Sequence, residues 1–151
     1  MALEIIGQPL PNLILASSGG GDIKIPEDFL GAYIVLFFYP RDQTPGCTKE
    51  ACTFRDYAAE FQELNAKVFG ISADSIESHN RFIGKHGLNY PLLSDPNKYL
   101  AKALGVGSFL GILSRDTFLI DPMAKVAMVW RKVSATTTAF ESLQELKKRL
   151  S

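Results

Sequence analysis

A chain of 151 residues, 46% of them apolar, is long enough to bury one proper core. Acidic and basic residues balance at 16 each, so the charge gives no footprint for nucleic acid or an anionic membrane surface. Two cysteines are too few for a disulfide scaffold and suit a reducing compartment, where a disulfide is transient and catalytic.

The chain start carries Glu4, has no basic leader and is interrupted by Pro9 and Pro11, so it reads as neither a signal peptide nor a membrane span. A transit peptide removed upstream is compatible with it. Leu13 to Ala16 is a short strand, residues 17–22 (SSGGGD) a flexible turn, and Ile23 to Ile25 the return strand of a hairpin. Pro26 to Gly31 makes a one-turn connector. Tyr33 to Phe38 (YIVLFF) is an uncharged run of β-branched and aromatic residues, which suits a strand buried on both faces.

The next stretch, Tyr39 to Asp56, holds both cysteines. Thr44 is a favourable N-cap and Pro45 suits the first helical position, which puts Cys47 in the first turn of a helix. Backbone N–H groups there lack intrahelical partners, and the positive end of the helix dipole favours a thiolate over a thiol. Cys47 therefore reads as a nucleophile at neutral pH. Arg41 and Lys49 add positive charge nearby; Asp42 and Glu50 oppose it. Cys52 lies five residues on, about 7.5 Å along the axis and turned by roughly 140°. A disulfide needs Cα atoms about 4.4–6.8 Å apart, so bonding the pair requires the first turns to unwind. Pro45, Gly46, Thr48 and Thr53 are weak helix formers and make such a start easy to melt.

Ala51 to Leu64 continues this helix, with Phe54, Tyr57, Ala58, Phe61 and Leu64 on one buried apolar face. Val68 to Ser72 is a buried strand. Ser75 or Asp74 caps a helix running to His86, with Ile76, Phe82 and Ile83 inward and Gly87 as its stop. Pro91 to Ser94 is extended, and Lys98 to Leu104 is a short helix ended by Gly105. Phe118 to Ile120 and Val126 to Trp130 form a hairpin around Asp121-Pro122. Phe140 to Leu150 is a closing helix with Phe140, Leu143, Leu146 and Leu150 on one face. Strands alternating with helices give an α/β layer fold. No repeat or linker divides the chain, so residues 1–151 read as one domain.

Pro40-x-x-x-Thr44-x-x-Cys47 resembles the active-site motif of the peroxiredoxins, and the wider FFYPRDQTPGCTKEACTFRD resembles their bacterioferritin-comigratory-protein or peroxiredoxin Q subfamily. The likeness takes in IGQPLPNLIL, VFGISADSIESHNRFIGKHGLNYPLLSD and RDTFLIDPMAKV, so nearly the whole chain. It implies a thioredoxin-like fold with an N-terminal β-hairpin extension and a central mixed sheet flanked by helices. It implies a thiol peroxidase acting on hydrogen peroxide and organic hydroperoxides. In that scheme Cys47 becomes a sulfenic acid, Cys52 resolves it as an intramolecular disulfide, and thioredoxin or a similar dithiol reduces the bridge. Thr44 and Arg115 are the implied donors to the peroxide, Arg115 because it precedes DTFLID; Pro40 shapes the loop and shields the sulfur. Arg131 and Arg41 are weaker candidates for the arginine. No cofactor and no metal is implied, and a cytoplasmic monomer is expected, organellar if a transit peptide was removed.

The residues leave some readings open. Glu50 is either an ordinary helix-surface residue or an acid such as related enzymes use at that place. His79 and His86, seven apart on one helix, make no metal site without further ligands, and nothing in the sequence brings either to Cys47 for a Cys–His hydrolase. Residues 107–113 (GSFLGIL) are more apolar than an exposed loop should be; they either meet a partner, a second subunit or a bulky substrate, or pack on the active-site helix. A protein thiol–disulfide oxidoreductase normally shows Cys-x-x-Cys, whereas four residues separate the cysteines here. A redox sensor or holdase using the same pair is the other alternative.

Overall fold

The computed structural model describes residues 5–151. Glu4, on which the reading of the chain start partly rests, lies outside the described residues. The strands are β1 (Leu13–Ser17), β2 (Asp22–Ile25), β3 (Ile34–Phe38), β4 (Lys67–Ser72), β5 (Leu92–Ser94), β6 (Ser108–Phe109), β7 (Ile112–Leu113), β8 (Thr117–Ile120) and β9 (Val126–Trp130). The helices are α1 (Pro45–Glu63), α2 (Ile76–His86), α3 (Tyr99–Ala103) and α4 (Thr138–Leu150). Seven strands form one mixed sheet in the order β2-β1-β5-β4-β3-β8-β9, and among the described residues β6 and β7 form a separate two-stranded sheet. Strands β3, β4 and β5 are parallel, while β8 runs antiparallel to β3 and β1 antiparallel to β5. The β1–β2 hairpin, with Leu13 opposite Ile25, is thereby added to one edge of the parallel core.

The uncharged β3 run sits at the centre because both its faces are covered. Ile34, Leu36 and Phe38 enter one apolar cluster with Phe29, Phe69, Leu100 and Phe118. Val35, Phe37 and Tyr39 enter the other, with Phe54 and Phe61 of α1, Phe82 of α2 and Leu143 of α4. This is the period-two alternation of a strand between two layers. Gly70 on β4 makes room for it: a Cβ there would lie 2.8 Å from the Phe37 ring. Phe37 in turn stacks on Phe54 at 4.3 Å, which seats α1 on the sheet.

Two expected faces differ. On α4, Leu143 and Leu146 are buried as expected, but Phe140 and Leu150 are 47% and 48% exposed and Ala139 and Ser142 are buried in their place. Small residues there let α4 lie close to the sheet, with Thr138 meeting Thr117 at 2.8 Å. α1 buries Cys47, Glu50, Ala51, Phe54 and Phe61, so its inward stripe begins at the cysteine rather than after it. No helix among the described residues is long and apolar enough to cross a membrane.

Candidate active site

The site is built where β3 ends and α1 begins. Thr44 is the N-cap of α1 with extended backbone (φ −77°, ψ 153°), and Pro45 is the first helical residue. The first helical bond runs from Thr48 N–H to the Thr44 carbonyl at 2.8 Å, so the N–H groups of Gly46 and Cys47 precede it. The Thr44 hydroxyl does not cap the helix; it donates to the Arg41 carbonyl at 3.1 Å. Cys47 is 1% exposed, sunk at the junction of α1 and the sheet.

Arg115, just before β8, closes the site from the sheet side. Its Nη2 donates to Cys47 Sγ at 3.6 Å and its Nη1 to Glu50 Oε1 at 2.6 Å. One fork thus spans a thiol and a carboxyl three residues apart on the same helix face. Gly46 permits the approach, since a Cβ there would lie 3.1 Å from Nη2. Arg131 does not reach the sulfur; it pairs with Asp116 at 2.9 Å and lies over Phe118. Arg41 and Lys49 are exposed.

Glu50 is fully buried, which removes the surface reading. Burial raises its carboxyl to about 8, against the opposing pull of the Arg115 charge and hydrogen bond. Its Oε2 finds no hydrogen-bond partner among the described residues. The signal was available: Cys47, Glu50, Ala51 and Phe54 follow helical spacing on one face.

Cys52 is half-buried on the same unbroken helix, and both thiols are free. Around it α1 is pinned twice, once on each side. The Tyr90 hydroxyl donates to the Ala51 carbonyl at 2.7 Å, and Arg55 Nη1 donates to the His86 carbonyl at 2.6 Å. Pro40, half-buried, lies in the loop between β3 and α1. That loop is tied to α2 by a network the sequence did not reveal. Asp42 accepts from Tyr39, Ser78 and the buried His79. The partners lie 36 and 37 residues away in sequence on α2, beyond any local pattern.

Residues 107–113 form neither a loop nor a patch packed on α1. They make the β6–β7 hairpin, with Phe109 77% and Leu110 85% exposed. A cleft of about 610 Å³ lies under it, lined by Phe109, Ile112, Leu113, Ser114, Asp116 and Arg131. No group of three His, Cys, Asp or Glu side chains among the described residues is placed to hold a metal.

Comparison with known proteins agrees with this geometry. The profile of the AhpC/TSA family matches residues 6–129. The chain is 44% identical to Peroxiredoxin Bcp of Bacillus subtilis, across 97% of each sequence. It is 41% identical to the chloroplastic Peroxiredoxin Q of Sedum lineare, over 82% of this chain and 67% of that one. Among solved structures, a cysteine-to-serine mutant of Xylella fastidiosa PrxQ superimposes with a TM-score of 0.90 at 34% identity, covering 97% of each chain. The bacterioferritin comigratory protein of Xanthomonas campestris, solved in a study of its alkyl peroxide reduction activity, gives 0.86 at 34% identity, over 94% of this chain and 98% of that one. The sheet order and flanking helices are thus the thioredoxin-like arrangement expected from the sequence.

Proposed function

The chain belongs to the AhpC/TSA family, as a thiol peroxidase of the Bcp and peroxiredoxin Q type, and on that premise we propose that Cys47 attacks the peroxide and Cys52 resolves the product. The observation that carries the assignment is the Arg115 fork, which holds a cation on the sulfur in the first turn of α1. The Cys47 thiolate attacks the terminal oxygen of ROOH. An S–O bond forms, the O–O bond breaks, and RO⁻ leaves to take up a proton as alcohol, or as water from hydrogen peroxide. Negative charge grows on the departing oxygen, so donors aimed at it lower the barrier. Arg115 and the free N–H groups of Gly46 and Cys47 fill that role. The Thr44 hydroxyl departs from the donor role that the resemblance implies: its proton is given to the Arg41 carbonyl, and its oxygen lone pairs are left to accept from the incoming peroxide O–H. Pro40 lies in the same loop and shields the sulfur.

The Cys52 thiol then attacks the Cys47 sulfenic sulfur; the S–S bond forms and water leaves. A dithiol donor, thioredoxin or a close equivalent, attacks that bridge, is itself oxidised and restores both thiols. We assign this cycle to residues 1–151 acting as one domain and as a monomer. We place it in the cytoplasm, or in an organelle if a leader has been removed, because two cysteines are too few for a disulfide scaffold and suit a reducing compartment.

The test is one equivalent of hydrogen peroxide mixed with reduced protein, followed by free-thiol titration and intact mass within seconds. Loss of both thiols and of about 2 Da is expected, abolished in Cys47→Ser, with a sulfenic acid trapped on Cys47 in Cys52→Ser. Thiols that survive for minutes would remove the peroxidase assignment.

A further inference from the structure

Asp42 lies five residues before Cys47 and is buried. Its carboxylate accepts three hydrogen bonds: from the Tyr39 hydroxyl at 2.6 Å, His79 Nδ1 at 2.7 Å and the Ser78 hydroxyl at 2.7 Å. Its own backbone N–H donates to Asp74 Oδ2 at 2.8 Å, and the Ser72 hydroxyl holds that same oxygen at 2.7 Å. Residue 42 is therefore fixed through both main chain and side chain to the end of β4 and the first turns of α2.

His79 has no solvent exposure, and its Nε2 lies 2.9 Å from the Leu93 carbonyl. A carbonyl can only accept. Both ring nitrogens thus face an acceptor, the Asp42 carboxylate at one and a carbonyl at the other. Burial pushes the Asp42 carboxyl up, but hydrogen bonds from His79 and Tyr39 and the electrostatic pull of His79 outweigh this and leave it below the usual range. Tyr39 stays a donor, because burial and the Asp42 charge push its phenol well up.

The residue between this anchor and the helix cap is strained. Gln43 has φ +64°, a left-handed conformation that a non-glycine residue keeps only where its neighbours are held. On one side it is held by Asp42, on the other by Thr44, the N-cap of α1. A buried ion pair is a poor way to gain stability compared with apolar packing; its best-attested use is to specify register.

We propose that the Asp42–His79 pair is a positioning device for peroxide reduction, fixing the Tyr39–Thr44 loop so that Pro40 and Thr44 stand in register over Cys47. This rests on Cys47 being the attacking thiol, as assigned above. Neither residue touches the reacting atoms. Their effect passes through Thr44, so it falls on the reaction that needs Thr44 and spares one that needs only a thiolate.

The experiment compares two rates on Cys47 in the full chain: single-turnover reaction with hydrogen peroxide, and alkylation by iodoacetamide. His79→Gln and Asp42→Asn are expected to slow the peroxide reaction about 100-fold, the scale of a misplacement near 1 Å, and to change alkylation less than about threefold. Tyr39→Phe keeps the ring, removes one donor to Asp42 and covers the case in which the ion-pair variants do not fold; a loss of about tenfold, again confined to peroxide, is expected. Peroxide and alkylation rates that fall together, or a peroxide rate that stays unchanged in folded variants, overturn the proposal. A wild-type protein that leaves peroxide untouched instead overturns the peroxidase assignment, and the proposal with it.

Discussion

A methyl group on Gly46 would stand 3.1 Å from Nη2 of Arg115, the nitrogen that donates to the Cys47 sulfur. That separation is too short for an unstrained contact, and the free end of the arginine is what yields. Gly46→Ala therefore tests whether the guanidinium must stand where it does. Alanine is the better helix former by up to about 1 kcal/mol, so the urea midpoint is expected to hold or rise slightly. The peroxide rate is expected to fall about three- to tenfold, since donor placement sets the transition-state charge stabilisation. Stopped-flow rates equal to those of the parent would show that the arginine tolerates displacement.

Arg115→Lys probes the fork itself. An ammonium is a point charge on a flexible stem and does not reproduce two parallel donations to the Glu50 oxygen and the Cys47 sulfur. Loss of one preorganised donor of this kind costs about 100- to 1,000-fold in rate. Leaving the buried Glu50 without its partner costs a further ~1–3 kcal/mol of stability. Peroxide kinetics and urea unfolding on the one variant separate the two effects. A lysine variant with near-parental kinetics would mean that charge alone, without the fork, suffices.

Local rules recover the elements of this site, and distance in sequence sets where they stop. Thr44-Pro45 marks the start of α1, Gly87 in left-handed conformation ends α2, and the YIVLFF run lies at the centre of the sheet, all from local chemistry. Arg115 is legible only through the resemblance of its neighbourhood, because the fork depends on a contact spanning 65 residues. Glu50 is ambiguous because a charge on a helix is ordinarily solvated, although its spacing from Cys47, Ala51 and Phe54 already puts it on the inward face. His79 looks like a stray histidine until α2 folds it onto Asp42. The GSFLGIL stretch shows apolar character but hides a two-stranded hairpin, whose tip sets Leu110 at φ +52° and Gly111 at φ +80°, so that only the second of its two positive-φ positions carries a glycine.

Glu50 also gives the fold a pH signature. Its carboxyl is pushed by burial from the ordinary 4.5 to about 8. Between those values the folded chain holds a proton that the unfolded chain has lost, so stability falls as pH rises through this window. Below 4.5 both states are protonated and the contribution is complete. Asp42 acts in the opposite sense: its carboxyl lies below the ordinary 3.8, so its contribution is present above that value and is lost as pH falls through the lower folded value. Urea midpoints measured from about pH 5 to about pH 8 should decline in the wild type and flatten in Glu50→Gln. Parallel profiles would mean that the Arg115 charge keeps Glu50 ionised in the folded protein.

The disulfide step requires α1 to change shape, and its fixed points predict how far. Cys47 and Cys52 lie on one continuous helix, where five residues place them about 7.5 Å apart along the axis and on different sides. A bridge needs Cα atoms about 4.4–6.8 Å apart, so the first turns must open when it forms. Downstream, Tyr90 holds the Ala51 carbonyl and Arg55 is tied to the end of α2. Phe54 is clamped between Phe37 and Phe61. Upstream, the Asp42 anchor holds the loop. Opening is therefore expected to be confined to residues 45–52. Amide exchange on the oxidised protein should show protection lost across 48–52, where the helical bonds begin, and kept from Arg55 onward. Tyr90→Phe should let the opening spread by a further turn. Equal protection of residues 48–52 in the reduced and oxidised forms would show that the bridge closes by bending an intact helix, and the weak formers Pro45, Gly46 and Thr48 would then need another explanation.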